Sequence, residues 1–186
     1  MAKGFATIGH SDRTVETIEE MLVGTGIELL VDVRSFPRSR HNPAFNIDTL
    51  PARLKALDID YVHMADLGGR RPRQPEVPEA VNALWQVQAF HNYADYALGP
   101  VYGAAFDQLS RLGNTRRVAL MCAEAMWWRC HRRIIADYLM LNGQAVAHLM
   151  EPGKSVQASP TLGAMLRPDG KVIYPPTETD RQPAGS

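Results

Sequence analysis

Residues 27–34, Ile27-Glu28-Leu29-Leu30-Val31-Asp32-Val33-Arg34, decide the fold. The run is apolar almost without alternation, broken only by Glu28 and Asp32 before it ends at Arg34. A strand with one wet face alternates apolar and polar residues, whereas a strand covered on both faces reads as continuous Leu and Val. This run therefore predicts an inner strand of a parallel sheet with helices on both sides. Asp32 sharpens the reading. A carboxylate in such a strand costs several kcal/mol of desolvation unless it is paired, so it requires a partner at Arg34, at His10 or on the backbone.

Upstream, residues 4–9 read as a short strand that runs into a polar turn at His10 and Ser11. Thr14 is placed to cap a helix carrying Ile18, Met21 and Leu22, which Gly24 and Gly26 close. Strand, helix and strand joined by short loops imply a right-handed crossover and a parallel pair. Downstream, residues 35–45 hold Pro37, Pro43, Arg38 and Arg40 and are too polar and broken for a core element. A helix over 50–57 with Pro51 at its start and a strand over 59–63 follow. Residues 67–78, with Gly68, Gly69, Arg70, Arg71, Pro72, Arg73 and Pro75, have the composition of a mobile loop or lid.

Helical spacing returns over 85–98 and 101–112. A strand is expected over 117–122, an amphipathic helix over 130–141 ended by Gly143, and the last strand of the main sheet over 145–150. Beyond Glu151 the chain turns to Pro, Gly and Ser, with an edge strand at 171–174 after an Asp169-Gly170 turn. The expected architecture is a single α/β domain over 1–175, Rossmann-like and three-layered, with a mostly parallel sheet flanked by helices. A disordered tail is expected over 176–186.

The chain has 186 residues, 45% of them hydrophobic and 22% charged, enough for one sizeable core. Twenty basic side chains balance twenty acidic ones, so no global field draws the protein to nucleic acid or an anionic membrane, and anion binding must be local. No apolar stretch approaches the roughly 20 residues of a membrane span, and the first residues lack a signal-like run. Cys122 and Cys130 sit close together, unlike the dispersed cysteines of a secreted disulfide scaffold, which points to a reducing cytoplasm. Nothing in the sequence signals an oligomeric state.

The chemistry concentrates in residues 120–139. A buried strand delivers Cys122 to its carboxyl end, a seven-residue loop follows, and a helix opens near Cys130, His131 and Arg132. Open parallel sheets bind ligands in the crevice beyond such strand ends. A thiol near a helix start and several cations is stabilised as thiolate, which makes Cys122 or Cys130 a nucleophile or redox centre; a small buried hydrophobe is the plain alternative. Glu124 is a general base or the partner of Arg132 or Arg34, and His131 an acid or base. Trp127 and Trp128 either stack a ligand or fill the core, the commoner use. The other strand ends bring His10, Asp32 and Arg34 to the same rim. Arg34, Arg38 and Arg40 with Arg70, Arg71 and Arg73 form two basic loops able to close over a phosphate or carboxylate. The Cys and His spacing does not match a structural zinc site, and Cys122 to Arg129 is one residue too long for the cysteine-phosphatase pattern.

Thr7-Ile8-Gly9-His10-Ser11, Asp32-Val33-Arg34 with Pro37 and Ser39, Tyr61, Leu67-Gly68-Gly69, and Met121-Cys122-Ala123-Glu124 with Cys130-His131-Arg132 resemble the family of the domain of unknown function 488 over residues 5–150. The resemblance implies a compact α/β protein of bacteria and archaea. It adds Ser11, Tyr61, Gly68 and Gly69 to the site.

The expected function is an enzyme acting on a small anionic substrate, nucleotide-like or sulfur-containing. Cys122, Glu124, His131, Asp32 and His10 form its catalytic set, and Ser11, Arg34, Arg38, Tyr61, Gly68, Gly69, Cys130 and Arg132 its substrate contacts, with no metal and no cofactor. The alternative is a non-catalytic module binding a nucleotide or nucleic acid through the arginine loops and a tryptophan.

Overall fold

The computed structural model describes residues 4–177. Strands β1 (Phe5–Gly9), β2 (Leu29–Asp32), β3 (Asp60–His63), β4 (Val118–Cys122), β5 (Val146–Glu151) and β6 (Lys154–Gln157) form one sheet in the order β3-β2-β4-β1-β5-β6. The first five run parallel and β6 returns antiparallel to β5. Helices α1 (Val15–Gly24), α2 (Leu50–Lys55), α3 (Gln88–Tyr96), α4 (Pro100–Thr115) and α5 (Arg132–Leu141) complete a three-layer α/β arrangement. The strand expected over 27–33 is an inner strand, and every residue of β2 is buried.

Alternation along the strands sorts the two faces. Phe5, Leu29, Val31, Val118, Leu120 and Cys122 pack with α3, α4 and α5, while Ala6, Ile8, Leu30, Ala119 and Met121 pack with α1 and α2. The period of two thus decides which chemistry each strand end presents to which layer. Thr14 caps α1 as expected, its side chain accepting the Thr17 N–H.

Several expectations need correction. β1 and β2 are parallel but not neighbours, because β4 lies between them; five consecutive buried residues make it the natural centre of the sheet. The sheet does not end at β5. The strand β6 was invisible to hydrophobic patterning because it is an exposed edge, formed by a tight turn in which Gly153 takes φ +73°. Residues 171–174 do follow a turn at Asp169-Gly170, but Val172–Ile173 (β8) pairs with Met165–Leu166 (β7) in a separate two-stranded sheet. The first of the two expected helices starts at Gln88, with Trp85 ahead of it, and α5 starts at Arg132 after a 3-10 turn over Trp127–Arg129. The loop after β2 is not wholly outside the core, for Phe45 is fully buried. The tail expected from 176 lies outside the described residues beyond Thr177. Among the described residues no helix is long and apolar enough to cross a membrane.

Candidate active site

The carboxyl ends of the three inner strands are stitched to one another. The His10 N–H donates to the Cys122 carbonyl at 3.0 Å, Ser11 N–H to Ala123 O at 2.8 Å and Val33 N–H to Met121 O at 2.9 Å. A pocket of about 560 Å³ opens there. His10, Arg34, Tyr93, Cys122 and Cys130 are its buried lining, and Phe36, Arg70 and Arg129 belong to its exposed margin.

One group of side chains lies toward α1 and α2. Asp32 is completely buried and accepts four donors: the Arg34 backbone N–H at 3.1 Å, Arg34 Nε at 2.9 Å, Arg34 Nη2 at 2.6 Å and the Tyr61 hydroxyl at 2.6 Å. This bidentate pair supplies the partner that the sequence required. Arg34 spends its remaining donors on Phe45 O at 2.6 Å and on His10 Nε2 at 3.3 Å. With Nε2 accepting, His10 donates from Nδ1 to Ser11 O at 3.1 Å, and its ring stacks on Phe45 at 4.4 Å. Burial, then the Arg34 charge, lower the His10 pKa to about 4, so the ring is neutral at pH 7. Asp32 and Tyr61 do not line the pocket; they are the clamp that aims Arg34 and His10 at its wall.

The other group lies toward α5. Cys130 Sγ meets four polar neighbours: Cys122 Sγ at 2.7 Å and His131 Nδ1 at 3.5 Å, and the N–H donors Arg132 N and Nε, both at 3.5 Å. Burial alone pushes the Cys130 thiol up. The hydrogen bond from Cys122, His131 and the Arg132 guanidinium outweigh it and hold Cys130 well below the ordinary thiol range. Burial and the bond to Cys130 push Cys122 the other way. The two shifts oppose each other across the pair.

Arg132 lies against the cysteine pair. It is buried, and among the described residues it makes no ion pair with a carboxylate. Its Nη2 donates to Glu124 O at 2.5 Å and Ala125 O at 3.3 Å, and its Nη1 to Thr7 Oγ1 at 3.4 Å. Thr7 Oγ1 in turn meets Nδ1 of the buried His148 at 2.7 Å, and Trp127 stacks on that ring at 4.2 Å and 6°. The guanidinium Nε reaches the Cys130 sulfur at 3.5 Å, so a negative charge on the cysteine pair would be favoured by it. Burial, then the Arg132 charge, lower the His148 pKa to about 4.

The remaining residues divide. His131 lines the pocket and donates from Nε2 to Val33 O at 3.0 Å, leaving Nδ1 toward Cys130. Glu124 lines it too, but is exposed and pairs with neither arginine; its backbone carbonyl, not its carboxylate, takes Arg132. Arg38 lines the pocket while engaged by Asp48. Ser11 stands behind the wall in the left-handed region at φ 41°, and Arg132 lies beneath the floor; neither lines the pocket. Gly69 does line it, and a Cβ there would lie 2.9 Å from His131 Nδ1, so the glycine makes room for the imidazole. Gly68 serves packing alone, because a Cβ would fall 2.5 Å from Ser35 Oγ.

A family model described as domain of unknown function DUF488 matches residues 14–139. The chain belongs to the DUF488 family. No curated protein matches the chain. No solved structure matches it either. The match begins after His10 and Ser11 and ends inside α5, so in this DUF488 chain β1, with Thr7, and β5, with His148, complete the site from outside the matched segment.

Sequence reading undervalued Arg70 and Arg129, both of which line the pocket and make no ion pair among the described residues. Sequence reading gave Arg70 to a basic loop able to close over an anion and Arg129 to the cations around the cysteines, without counting either among the site residues. It missed Thr7 and His148 altogether, although a polar residue inside each short buried strand was a signal of the kind that singled out Asp32. Trp127 is half-buried against His148 and Trp128 is 42% exposed, so neither fills the core as expected.

Proposed function

We propose that the protein is a thiol-dependent enzyme acting on a small anionic substrate, nucleotide-like or sulfur-containing, in the pocket at the strand ends. The observation that carries this reading is the convergence on the single sulfur of Cys130 of two N–H donors of the buried Arg132, which makes no ion pair with a carboxylate among the described residues, beside Cys122 and His131. Such a sulfur is nucleophilic at neutral pH, and the start of α5 adds the positive end of a helix dipole. In this scheme Cys130 attacks, Cys122 supplies or holds the neighbouring proton, His131 presents Nδ1 as a proton acceptor, and the leaving group takes its proton from Cys122 or solvent. Glu124 at the open side is a second base. Arg70 and Arg129, whose charges are not spent internally, hold the anion, with His10 and Arg34 forming the wall. A reducing compartment such as the cytoplasm goes with this proposal, because both thiols are free.

Iodoacetamide alkylation followed by peptide mass mapping tests it. Cys130 should label first, with a rate midpoint below the ~8.5 of an ordinary thiol, and inorganic phosphate should slow labelling until Arg70 and Arg129 are both replaced by Ala. A Cys130 that stays inert up to alkaline pH removes the reading. The exposed Trp128 ring next to Arg129 favours a second one, a non-catalytic nucleotide or nucleic-acid site. Salt-sensitive oligonucleotide binding that Trp128→Ala abolishes and Cys130→Ser leaves unchanged would mark that alternative.

A further inference from the structure

Cys122 has no role in anion binding, yet it ends β4 with its sulfur against Cys130 on the same pocket lining. We propose that Cys122 and Cys130 form a dithiol–disulfide couple that performs thiol–disulfide exchange on disulfides of small anionic thiols, with Cys130 attacking and Cys122 resolving. The proposal rests on the thiolate reading above and adds to it a substrate class and a second cysteine with its own step.

Three observations carry it. The two sulfurs come from different elements, a strand end and the approach to a helix, and the eight-residue separation closes on a direct contact of 2.7 Å. Their surroundings differ in the sense that separates an attacking from a resolving thiol. Cys130 takes two N–H groups of Arg132 and lies beside His131 Nδ1, whereas Cys122 faces the Glu124 carbonyl at 3.6 Å. The pocket in front of them offers unpaired guanidinium groups at Arg70 and Arg129 beside the apolar Phe36, Val87 and Phe90, which suits a compact organic anion.

The steps balance. The Cys130 thiolate attacks one sulfur of R–S–S–R′; the Cys130–S–R bond forms, the substrate S–S bond breaks, and R′–S⁻ leaves and takes a proton from solvent. Cys122 then gives up its proton, its sulfur bonds to Cys130 Sγ, and R–S⁻ departs, taking that proton. Two electrons have passed from the dithiol to the substrate. With both sulfurs in the new bond, Arg132 is left as a buried cation without its anion. That penalises the oxidised state and lets two equivalents of a small thiol reduce it, themselves ending as a disulfide.

Dithiobis(nitrobenzoate), an anionic aromatic disulfide, is the probe. Mixed with the folded full chain at neutral pH, it should release two coloured nitrothiobenzoate anions per chain, leave no adduct, and lower the intact mass by two hydrogens. Cys122→Ser and Cys122→Ala should each release one anion and keep the other as a stable adduct on Cys130, and Cys130→Ser should react far more slowly. The wild-type arm needs no variant to fold. A lasting adduct on either cysteine of the wild-type chain, or release from Cys130→Ser at the wild-type rate, overturns the couple. If Cys130 still alkylates readily with iodoacetamide in that case, the thiolate reading survives; if it is inert to both reagents, the two fall together.

Discussion

The two faces of the sheet hold one buried arginine each at the same rim, and they differ in what neutralises it. Toward α1 and α2, Arg34 grips a carboxylate whose lone pairs are all taken, so charge and hydrogen bonds close on themselves. Toward α5, Arg132 has carbonyls, a threonine hydroxyl and a sulfur, but no carboxylate. A closed ion pair is a structural clamp. An open cation keeps its charge available to hold a neighbouring thiol ionised. In the function proposed above, the same residue type at similar burial thus serves stability on one face and reactivity on the other.

The largest effect expected from breaking this contrast is on the closed side. Asp32→Asn leaves Arg34 buried and unpaired and should cost about 3–5 kcal/mol in urea unfolding; an equal loss from Arg132→Met would erase the distinction. Acid comes next and acts on both faces. His10 and His148 have folded pKa values of about 4 against 6.5 in the unfolded chain. The unfolded chain therefore binds more protons between those values, and the stability each contributes is complete above about pH 6.5 and lost as pH falls toward 4. That amounts to at most ~3 kcal/mol for each histidine taken singly. His10→Gln or His148→Gln should flatten the pH dependence of unfolding by its own share.

On the open side the readout changes from stability to rate. Arg132→Met should slow iodoacetamide labelling of Cys130 at pH 7 by about tenfold or more and move its midpoint upward, since a tenfold change corresponds to ~1.4 kcal/mol of lost thiolate stabilisation. Arg132→Lys should restore part of the rate. Tyr61→Phe is the gentlest test. It removes one of four donors to Asp32 and should cost about 1 kcal/mol, leaving Cys130 labelling unchanged because the clamp lies on the other face.

Much of this was legible in the chain. The buried run at 27–33, the capped helix after Thr14 and the strand ending at Cys122 were read correctly because burial on both faces and capping leave direct marks on composition. The demand of Asp32 for a partner was legible for the same reason. Other features left no mark. β6 is a polar edge, held by backbone hydrogen bonds that any side chain permits. Cys122 was legible as a thiol candidate from its place at a strand end, whereas the approach of the two Arg132 N–H groups to Cys130 is a matter of space.

By itself the amino-acid sequence determined that the chain builds helix-covered parallel strands and that cysteine, histidine and arginine gather at their carboxyl ends. Those outcomes follow from local periodicity and from the cost of burying charge. Only the tertiary structure decided that β4 enters between β1 and β2, that Asp32 and Cys122 project to opposite faces of one rim, and that Arg132 is left without a carboxylate. Strand order and counter-charge depend on which distant residues become neighbours, and no local pattern encodes that.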